Sequence, residues 1–373
     1  MIDKQLKLHV CKLTSVHPYN DIRIYFKECY SLAKTGYNMH LIAPGAPDNL
    51  VEIIHLYSVP KVKSNLLKRM IKTIWDVYIK ALEINADLYH FHDPELIPIG
   101  LILKAKGKKV IYDVHEDVPR QILSKEYIPR LSRRIVSKLT ESIENFACKH
   151  FDAIVTATPY ICDRFSKLGC NAVNINNYPI LSELHIPEIN WEEKEKAVCY
   201  VGGIWEQRGI YEMVKAIGQT NTKLLLAGNF SSTEQRNKVV SMSGWANVKE
   251  LGYLDRKGVA DTLAKSIAGL VVLHPIINYL DALPVKMFEY MSAGIPVIAS
   301  NFPLWKEIIE GNKCGICVDP MNPKAIAKAI QWIVDNPNEA KRMGENGRKA
   351  VEEKYNWENE ADKLRALYKE LQS

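Results

Sequence analysis

The stretch Asp281-Ala282-Leu283-Pro284-Val285-Lys286-Met287-Phe288-Glu289-Tyr290 concentrates groups that can hold an anion. Pro284 is placed like a first-turn proline, which predicts a helix starting there. A helix start offers free backbone N–H groups and the positive end of the dipole, both suited to a phosphate. Lys286 falls in that first turn, where a cation is disfavoured; a bound anion resolves the conflict. Glu289 lies about one turn on and can accept hydrogen bonds from sugar hydroxyls. Taken alone, an amphipathic helix with a solvated lysine and glutamate fits as well. A second candidate is Val201-Gly202-Gly203-Ile204-Trp205-Glu206-Gln207-Arg208-Gly209. A strand ending in two glycines lets a ligand approach the backbone closely. Arg208, at the next helix start, can pair with phosphate oxygens. The glycine spacing is not that of the dinucleotide fingerprint, and an ordinary tight turn is the plain alternative.

His90, His92 and Asp93 form a third group. Positions 90 and 92 share a strand face, as metal ligands can, with Asp93 or His115 as the third ligand. Polar contacts at a strand end explain the same residues without a metal, and that reading is preferred. Cys314 and Cys317 form a Cys-x-x-Cys with no second pair to complete a zinc ribbon. The run Gly315-Ile316-Cys317-Val318 reads as a strand, so buried thiols are expected.

The elements that must position these groups alternate. Short β-rich runs at 8–13, 38–43, 53–57, 87–92, 109–114, 152–157 and 172–176 are separated mostly by helical stretches such as 22–35, 66–84, 130–150 and 159–168. Runs at 197–202, 222–227, 247–251, 268–273, 295–299 and 315–318 alternate with helical stretches at 208–218, 232–243, 256–266, 285–293 and 323–336. This pattern predicts an α/β chain of βαβ units with parallel sheets. The segment 179–196 reads as a linker, giving domains at 1–178 and 197–354. A helical tail follows, broken near Tyr355-Asn356-Trp357, its last helix (355–373) packing back on the first domain. Ligands of such sheets sit at the carboxyl ends of the strands, and a cleft between two domains is the expected site.

The chain has 373 residues, 47% hydrophobic and 25% charged, ordinary values that exclude disordered, collagen-like and low-complexity architectures. No apolar run reaches the roughly 18 residues of a spanning helix, and the N-terminus lacks a secretory pattern. A cytoplasmic protein is expected, and the eight cysteines are expected to be reduced. Net charge is +6, unevenly spread: residues 1–180 carry 25 Lys+Arg against 18 Asp+Glu, whereas residues 181–373 carry 24 against 25. An acidic partner should therefore meet the first half. Nucleic acid is not expected. The segment 61–80 carries six cations and one anion, with Leu67, Met70, Ile71 and Ile74 at helical spacing and Trp75 and Tyr78 nearby. Arg130, Arg133, Arg134 and Lys138 form a second basic cluster. Together they suggest peripheral, salt-sensitive attachment to the inner face of an anionic membrane. An ordinary sheet-covering helix explains the apolar stripe of 61–80 somewhat better.

The two phosphate-suited stretches together resemble the retaining nucleotide-sugar glycosyltransferases of family four, which have the GT-B fold of two doubly wound Rossmann-like domains facing across a cleft. The resemblance covers nearly the whole chain and is strongest at 197–357. The family's late motif is Glu, seven residues, Glu, then a small residue-Gly-x-Pro-Val-Ile. Here Asp281 replaces the first Glu, Glu289 fits the second, and Ala293-Gly294-Ile295-Pro296-Val297-Ile298 fits the rest. The resemblance implies that Glu289 binds the nucleotide ribose and that Asp281 lies near the transferred sugar and diphosphate. Gly203 stands where the family has a diphosphate-binding Arg, and Arg208 where it has a Lys. Lys286 is the candidate for the missing charge, with Gly202, Leu283, Pro284 and Val285 around it. Tyr253 and Leu254 lie in the segment that resembles the family's base-contacting backbone. Ile111-Tyr112-Asp113-Val114-His115-Glu116 resembles the strand ending in a histidine that touches the donor sugar, so His115 carries that role. The first-strand loop lacks the family's glycines, which leaves side chains of Asp21 and Arg23, with His92 and Glu116, for acceptor contacts.

The resemblance implies transfer of a hexose from a nucleotide diphosphate sugar, UDP-linked by preference, to an acceptor hydroxyl with retention and without metal or other cofactor. His115, Asp281, Arg208 and Lys286 are the catalytic set. The implied acceptor is a glycan or lipid-linked glycan of a bacterial surface polysaccharide. Two alternatives share the features: a non-hydrolysing nucleotide-sugar epimerase, and a non-catalytic sugar-nucleotide-binding partner of a transferase.

Overall fold

The computed structural model describes residues 8–60, 66–125, 128–184 and 191–372, excepting the side chains of 66–70 and 184. The chain divides into two compact units, Met1–Asn177 with Glu360–Ser373, and Tyr178–Asn359.

The first unit holds β1 (His9–Leu13), β2 (Asn38–Pro44), β3 (Leu50–Val51), β4 (Ile54–Val59), β5 (Leu88–Phe91), β6 (Lys109–Val114), β7 (Ala153–Thr156) and β8 (Ala172–Asn174). They form one sheet in the order β3-β4-β2-β1-β5-β6-β7-β8. Every pairing is parallel except the two-residue β3 against β4. A π-helical stretch, Ile22–Cys29, runs into α1 (Tyr30–Lys34); then come α2 (Leu66–Ile84), α3 (Ile97–Ala105), α4 (Val118–Ser124), α5 (Arg130–Cys148) and α6 (Pro159–Lys167). Val77 and Ala81 of α2, Leu103 of α3 and Ala147 and Cys148 of α5 share one core cluster with Tyr89, Phe91 and Tyr112 of the sheet. These three helices therefore cover the same sheet face.

The second unit holds β9 (Ala197–Val201), β10 (Lys223–Ala227), β11 (Val248–Gly252), β12 (Ala268–Val271), β13 (Val297–Ser300) and β14 (Gly315–Val318) in the order β11-β10-β9-β12-β13-β14, all parallel. Its helices are α7 (Leu181–Leu184), α8 (Ile210–Ile217), α9 (Thr233–Val240), α10 (Arg256–Lys265), α11 (Ile277–Leu280), α12 (Val285–Ser292), α13 (Pro303–Ile309), α14 (Pro323–Asp335) and α15 (Pro337–Glu353). The last helix, α16 (Trp357–Gln372), joins the first unit from Glu360 onward. There Tyr368 is buried, its hydroxyl 2.8 Å from His90 Nδ1.

Local chemistry explains the helix starts. Asp21, Asp117, Thr158, Ser232, Asp255 and Asn322 each accept a backbone N–H of the first turn they precede. β7 and β13 are buried at every position, as in a sheet covered on both faces, whereas β1, β5 and β6 carry the buried polar residues Lys12, His90 and Asp113.

Two expected segments behave differently. In the span read as a linker, Trp191 packs against the second unit's core and Lys194 donates to the carbonyls of Ala264 and Ser266; residues 185–190 lie outside the described residues. Of the basic stretch 61–80, residues 61–65 and the side chains of 66–70, including Leu67, Lys68, Arg69 and Met70, also lie outside them. Beyond these, Val77 is buried, Ile74 packs against the core, and Ile71 and Trp75 are exposed. All eight cysteines are free thiols. Burial pushes Cys314 and Cys317 up to about 12, the state of inert core thiols. No helix among the described residues is long and apolar enough to cross a membrane.

Candidate functional site

In the second unit the strand order reverses at β9 and β12, and the carboxyl ends of these neighbours are where a doubly wound sheet places its ligand. Gly202 and Gly203 follow β9 directly. Gly202 has φ 132°, a backbone only glycine adopts readily. A Cβ on it would lie 2.8 Å from Lys286 Nζ and 3.5 Å from an Arg208 Nη, so its open side faces both cations.

Lys286 enters from α12. Pro284 is the N-cap of that helix and Val285 its first residue, one position later than the proline pattern predicts. Met287, Phe288, Tyr290 and Met291 are fully buried. At roughly 1.5–3 kcal/mol for each such side chain, they hold the helix rigidly. Tyr290 Oη, in turn, accepts from the backbone N–H of Val201 at 3.0 Å. The Lys286 ammonium is buried, takes no hydrogen bond, and stands 3.8 Å over the Tyr200 ring. Burial first, then Arg208, push its pKa well below the ordinary lysine value; Glu289 opposes them. Arg208 lies on a single 3-10 turn, Glu206–Arg208, before Gly209 turns left-handed and α8 begins. Its guanidinium stacks 3.7 Å over Trp205. Two basic side chains rest on aromatic faces, and one of them is buried without a hydrogen-bond partner, an arrangement suited to an anion.

Glu289, one turn beyond Lys286, accepts a hydrogen bond from Arg256 Nη1 at 2.7 Å, and Arg256 Nη2 donates to Glu183 at 2.6 Å. Tyr253, just past β11, is 78% exposed, while Leu254 packs against the core. Leu283, Pro284 and Val285 are half-buried, and Asp281 is exposed on the loop after α11. Tyr200, Trp205 and Arg256 were not singled out by sequence reasoning. Aromatics beside a Gly-Gly turn and its cations were the available signal for the first two.

The first unit brings another group together where β1, β5 and β6 end. Asp113 accepts two hydrogen bonds from Arg23 Nη2, at 3.0 and 3.1 Å, and Arg23 Nε stands 2.9 Å from Glu28. Glu28 pairs with Lys12 in the fully buried interior. Arg23, read from sequence as an acceptor contact, is 3% exposed; its donors are spent on Asp113, Glu28 and the Ile175 carbonyl. His92 is likewise buried. Its Nδ1 lies 3.0 Å from His115 Nε2 and 3.4 Å from Asp113. Burial pushes the pKa of His92 well down, keeping it neutral. Burial alone would raise Asp113, but Arg23 and His115 outweigh it and hold it well below the carboxylate range. His115 is partly exposed and Glu116 exposed. Asp21 caps the π-helical stretch and stands 3.6 Å from His17. A hydrogen bond to Asp21 raises the His17 pKa against the pull of burial, with Asp93 assisting. His17 is a loop residue that sequence reasoning did not assign.

Glu28, His90, His92 and Asp113 are close enough to share a metal ion. However, Lys12 and Arg23 already neutralise both carboxylates, so a divalent cation would meet a charge-balanced cluster. Asp93 turns away from it, accepting from Thr14 Oγ1 at 2.8 Å and the Ser15 N–H at 2.6 Å.

Two family profiles match, glycosyl transferases group 1 over residues 182–350 and glycosyltransferase family 4 over residues 28–176. An uncharacterized glycosyltransferase of Methanocaldococcus jannaschii is 26% identical over 275 residues, 69% of this chain and 65% of that protein's own length. Sucrose-phosphate synthase from Thermosynechococcus elongatus superposes with a TM-score of 0.80 at 19% identity, covering 98% of this chain and 99% of that one. Anabaena HepE in complex with UDP-glucose gives 0.75 at 13% identity, covering 97% and 100%. These solved structures share the GT-B fold of two parallel-sheet α/β domains, and the chain belongs to glycosyltransferase family 4, the glycosyl transferases group 1.

Proposed function

We propose that the protein transfers a hexose from a UDP-sugar to a hydroxyl of a glycan or lipid-linked glycan, with retention, in bacterial surface polysaccharide synthesis. The observation that carries the reading is the buried, unpartnered Lys286 ammonium beside Arg208, both facing the open side of Gly202. A diphosphate fits that charge. As the bond from the anomeric carbon to the diphosphate oxygen breaks, negative charge grows on the leaving group. Lys286, Arg208 and the first N–H groups of α12 are already oriented to stabilise it. The acceptor oxygen bonds to the anomeric carbon from the same face, and its proton passes to the departing phosphate oxygen, so no side-chain base is needed.

In this reading Glu289 holds the ribose, and the exposed Tyr253 and Leu254 segment meets the base. His115 serves the transferred sugar, while Asp21 and Glu116 serve the acceptor. Neither the donor cations nor the balanced Lys12/Arg23/Glu28/Asp113 cluster calls for a metal. A lipid-linked acceptor makes peripheral attachment to an acidic membrane surface the working arrangement.

The test is transfer from UDP-glucose, with product analysis in the presence and absence of acceptor. Lys286→Met should lower turnover by about 10²-fold, the cost of losing one preorganised charge donor. Near-normal turnover would refute the phosphate assignment. An epimerised sugar nucleotide formed without acceptor would establish the epimerase instead, and tight UDP binding without transfer to any acceptor would point to a non-catalytic partner.

A further inference from the structure

Helix α5 is amphipathic in the inverted sense. The residues it buries are Ser137, Glu144, Ala147 and Cys148. The residues it turns outward are Leu131, Ile135, Leu139, Ile143 and Phe146, which are 53% to 92% exposed. At 100° per residue these five share an arc of about 120°, and they run about 22 Å along the axis. Single exposed aliphatics need no explanation, but a continuous stripe does. Polar contacts on the inner face lock the orientation: Ser137 Oγ donates to the Pro119 carbonyl at 2.7 Å, and Glu144 pairs with Arg164. The helix cannot roll its apolar face inward without breaking both.

Among the described residues of α5, the charge bordering the stripe is positive. Arg134 and Lys138 border it, and Arg130, Arg133 and Arg134 line a groove of about 520 Å³ with Leu123 of α4. The acids of the helix supply no outward counter-charge, since Glu141 pairs with Arg120 and Glu144 is buried. A second copy of the chain docked by a two-fold axis would set these cations against themselves. An acidic lipid surface satisfies both features at once, its headgroup phosphates meeting the arginine groove and its acyl region the stripe. Helix α2, on the same sheet face, turns Ile71 and Trp75 outward as well.

We infer that the outer face of α5 lies in the headgroup boundary of an anionic bilayer and is the principal membrane-docking surface of the protein. The inference rests on the reading of a lipid-linked acceptor and deepens it by naming the element that meets the lipid. The experiment is co-sedimentation of the full chain with vesicles of phosphatidylcholine alone or mixed with phosphatidylglycerol, at low and high salt, without donor or acceptor. The chain should pellet with the acidic vesicles at low salt. The combined change Leu131→Ser, Leu139→Ser, Ile143→Ser should cut the bound fraction about tenfold or more, and Arg130→Glu with Arg134→Glu should abolish binding. All these positions are on α5 in the first unit, whereas the proposed donor residues belong to the second, so UDP affinity and helical content should stay unchanged. Wild-type protein remaining in the supernatant at low salt, or a serine variant that binds fully, overturns the inference. So does a wild-type dimer that the serine variant dissociates, because the stripe would then be covered by a second copy. Loss of vesicle binding with transfer intact would remove the docking surface and leave the transferase reading standing. Vesicle binding without transfer would do the reverse.

Discussion

A Cβ placed on Gly202 would lie 2.8 Å from the Nζ of Lys286, so the glycine and the lysine occupy one space from opposite sides. The lysine tip can yield, but it would leave the Tyr200 ring and the proposed phosphate position together. The backbone at φ 132° adds strain for any other residue. Gly202→Ala should therefore weaken UDP binding by about tenfold or more while lowering the melting temperature only modestly. Calorimetric titration beside a thermal melt checks this. A variant that loses stability but keeps UDP affinity would show that the glycine serves the turn alone.

The depressed pKa of Lys286 gives donor binding a proton signature. Burial and Arg208 disfavour the ammonium in the free protein, and a diphosphate beside it favours the charged form. Wherever the pH lies above the free-state pKa, binding must take up a proton, so affinity should fall as pH rises through that region. The same shift has a stability sign. Between the lowered folded value and the unfolded 10.5 the unfolded chain holds more protons, so stability of the free protein rises with pH there. UDP titrations in two buffers of different ionisation enthalpy, repeated from neutral to alkaline pH, should show uptake rising toward one proton in the wild type and none of that rise in Lys286→Met. Equal heats in both buffers at every pH for the wild type would contradict the assignment.

The parts of the protein that could be read in advance are those written in short-range pattern. Buried parallel strands such as Leu224-Leu225-Leu226-Ala227 declare themselves by continuous apolar runs, and helix periods separate them cleanly. The Gly-Gly turn after β9 and the lysine in the first turn of α12 were legible as local patterns of a strand end and a proline-led helix start. Partnership across sequence was not. Arg256 is 33 residues from Glu289 and meets it only because α10 and α12 pack in the same unit. Arg23 looked available for a substrate because no local pattern shows that Asp113, 90 residues on, will neutralise it in the interior. The periodicity of 130–150 marked a helix, and α5 spans Arg130–Cys148. Which face turns inward was decided by Pro119 and Arg164, which the period does not contain.

The clamp of Arg256 on Glu289 bears on the ribose contact proposed for this carboxylate. One carboxylate oxygen is held by the guanidinium, which fixes the rotamer. Glu289→Gln should cost UDP affinity about tenfold, and Arg256→Met about three- to tenfold, through lost orientation. Because the two act as a unit, the double variant should bind UDP no worse than Glu289→Gln. Additive losses in the cycle would mean that Arg256 touches the nucleotide independently.

His92 provides the corresponding test in the first unit. It is buried, kept neutral, and set 3.0 Å from His115 Nε2 with Asp113 behind both rings. We propose that it is a positioning residue, fixing the plane and hydrogen-bonding state of the partly exposed His115. His92→Phe preserves the ring volume but removes both nitrogens. It should lower kcat about tenfold or more with little change in the KM for the donor, because orientation matters most where charge develops. His92→Asn, which can still offer a polar group toward His115, should recover part of the rate, and His115→Ala should make the His92 substitutions silent. A fall in kcat that persists in the His115→Ala background would show that His92 serves the reaction by another route.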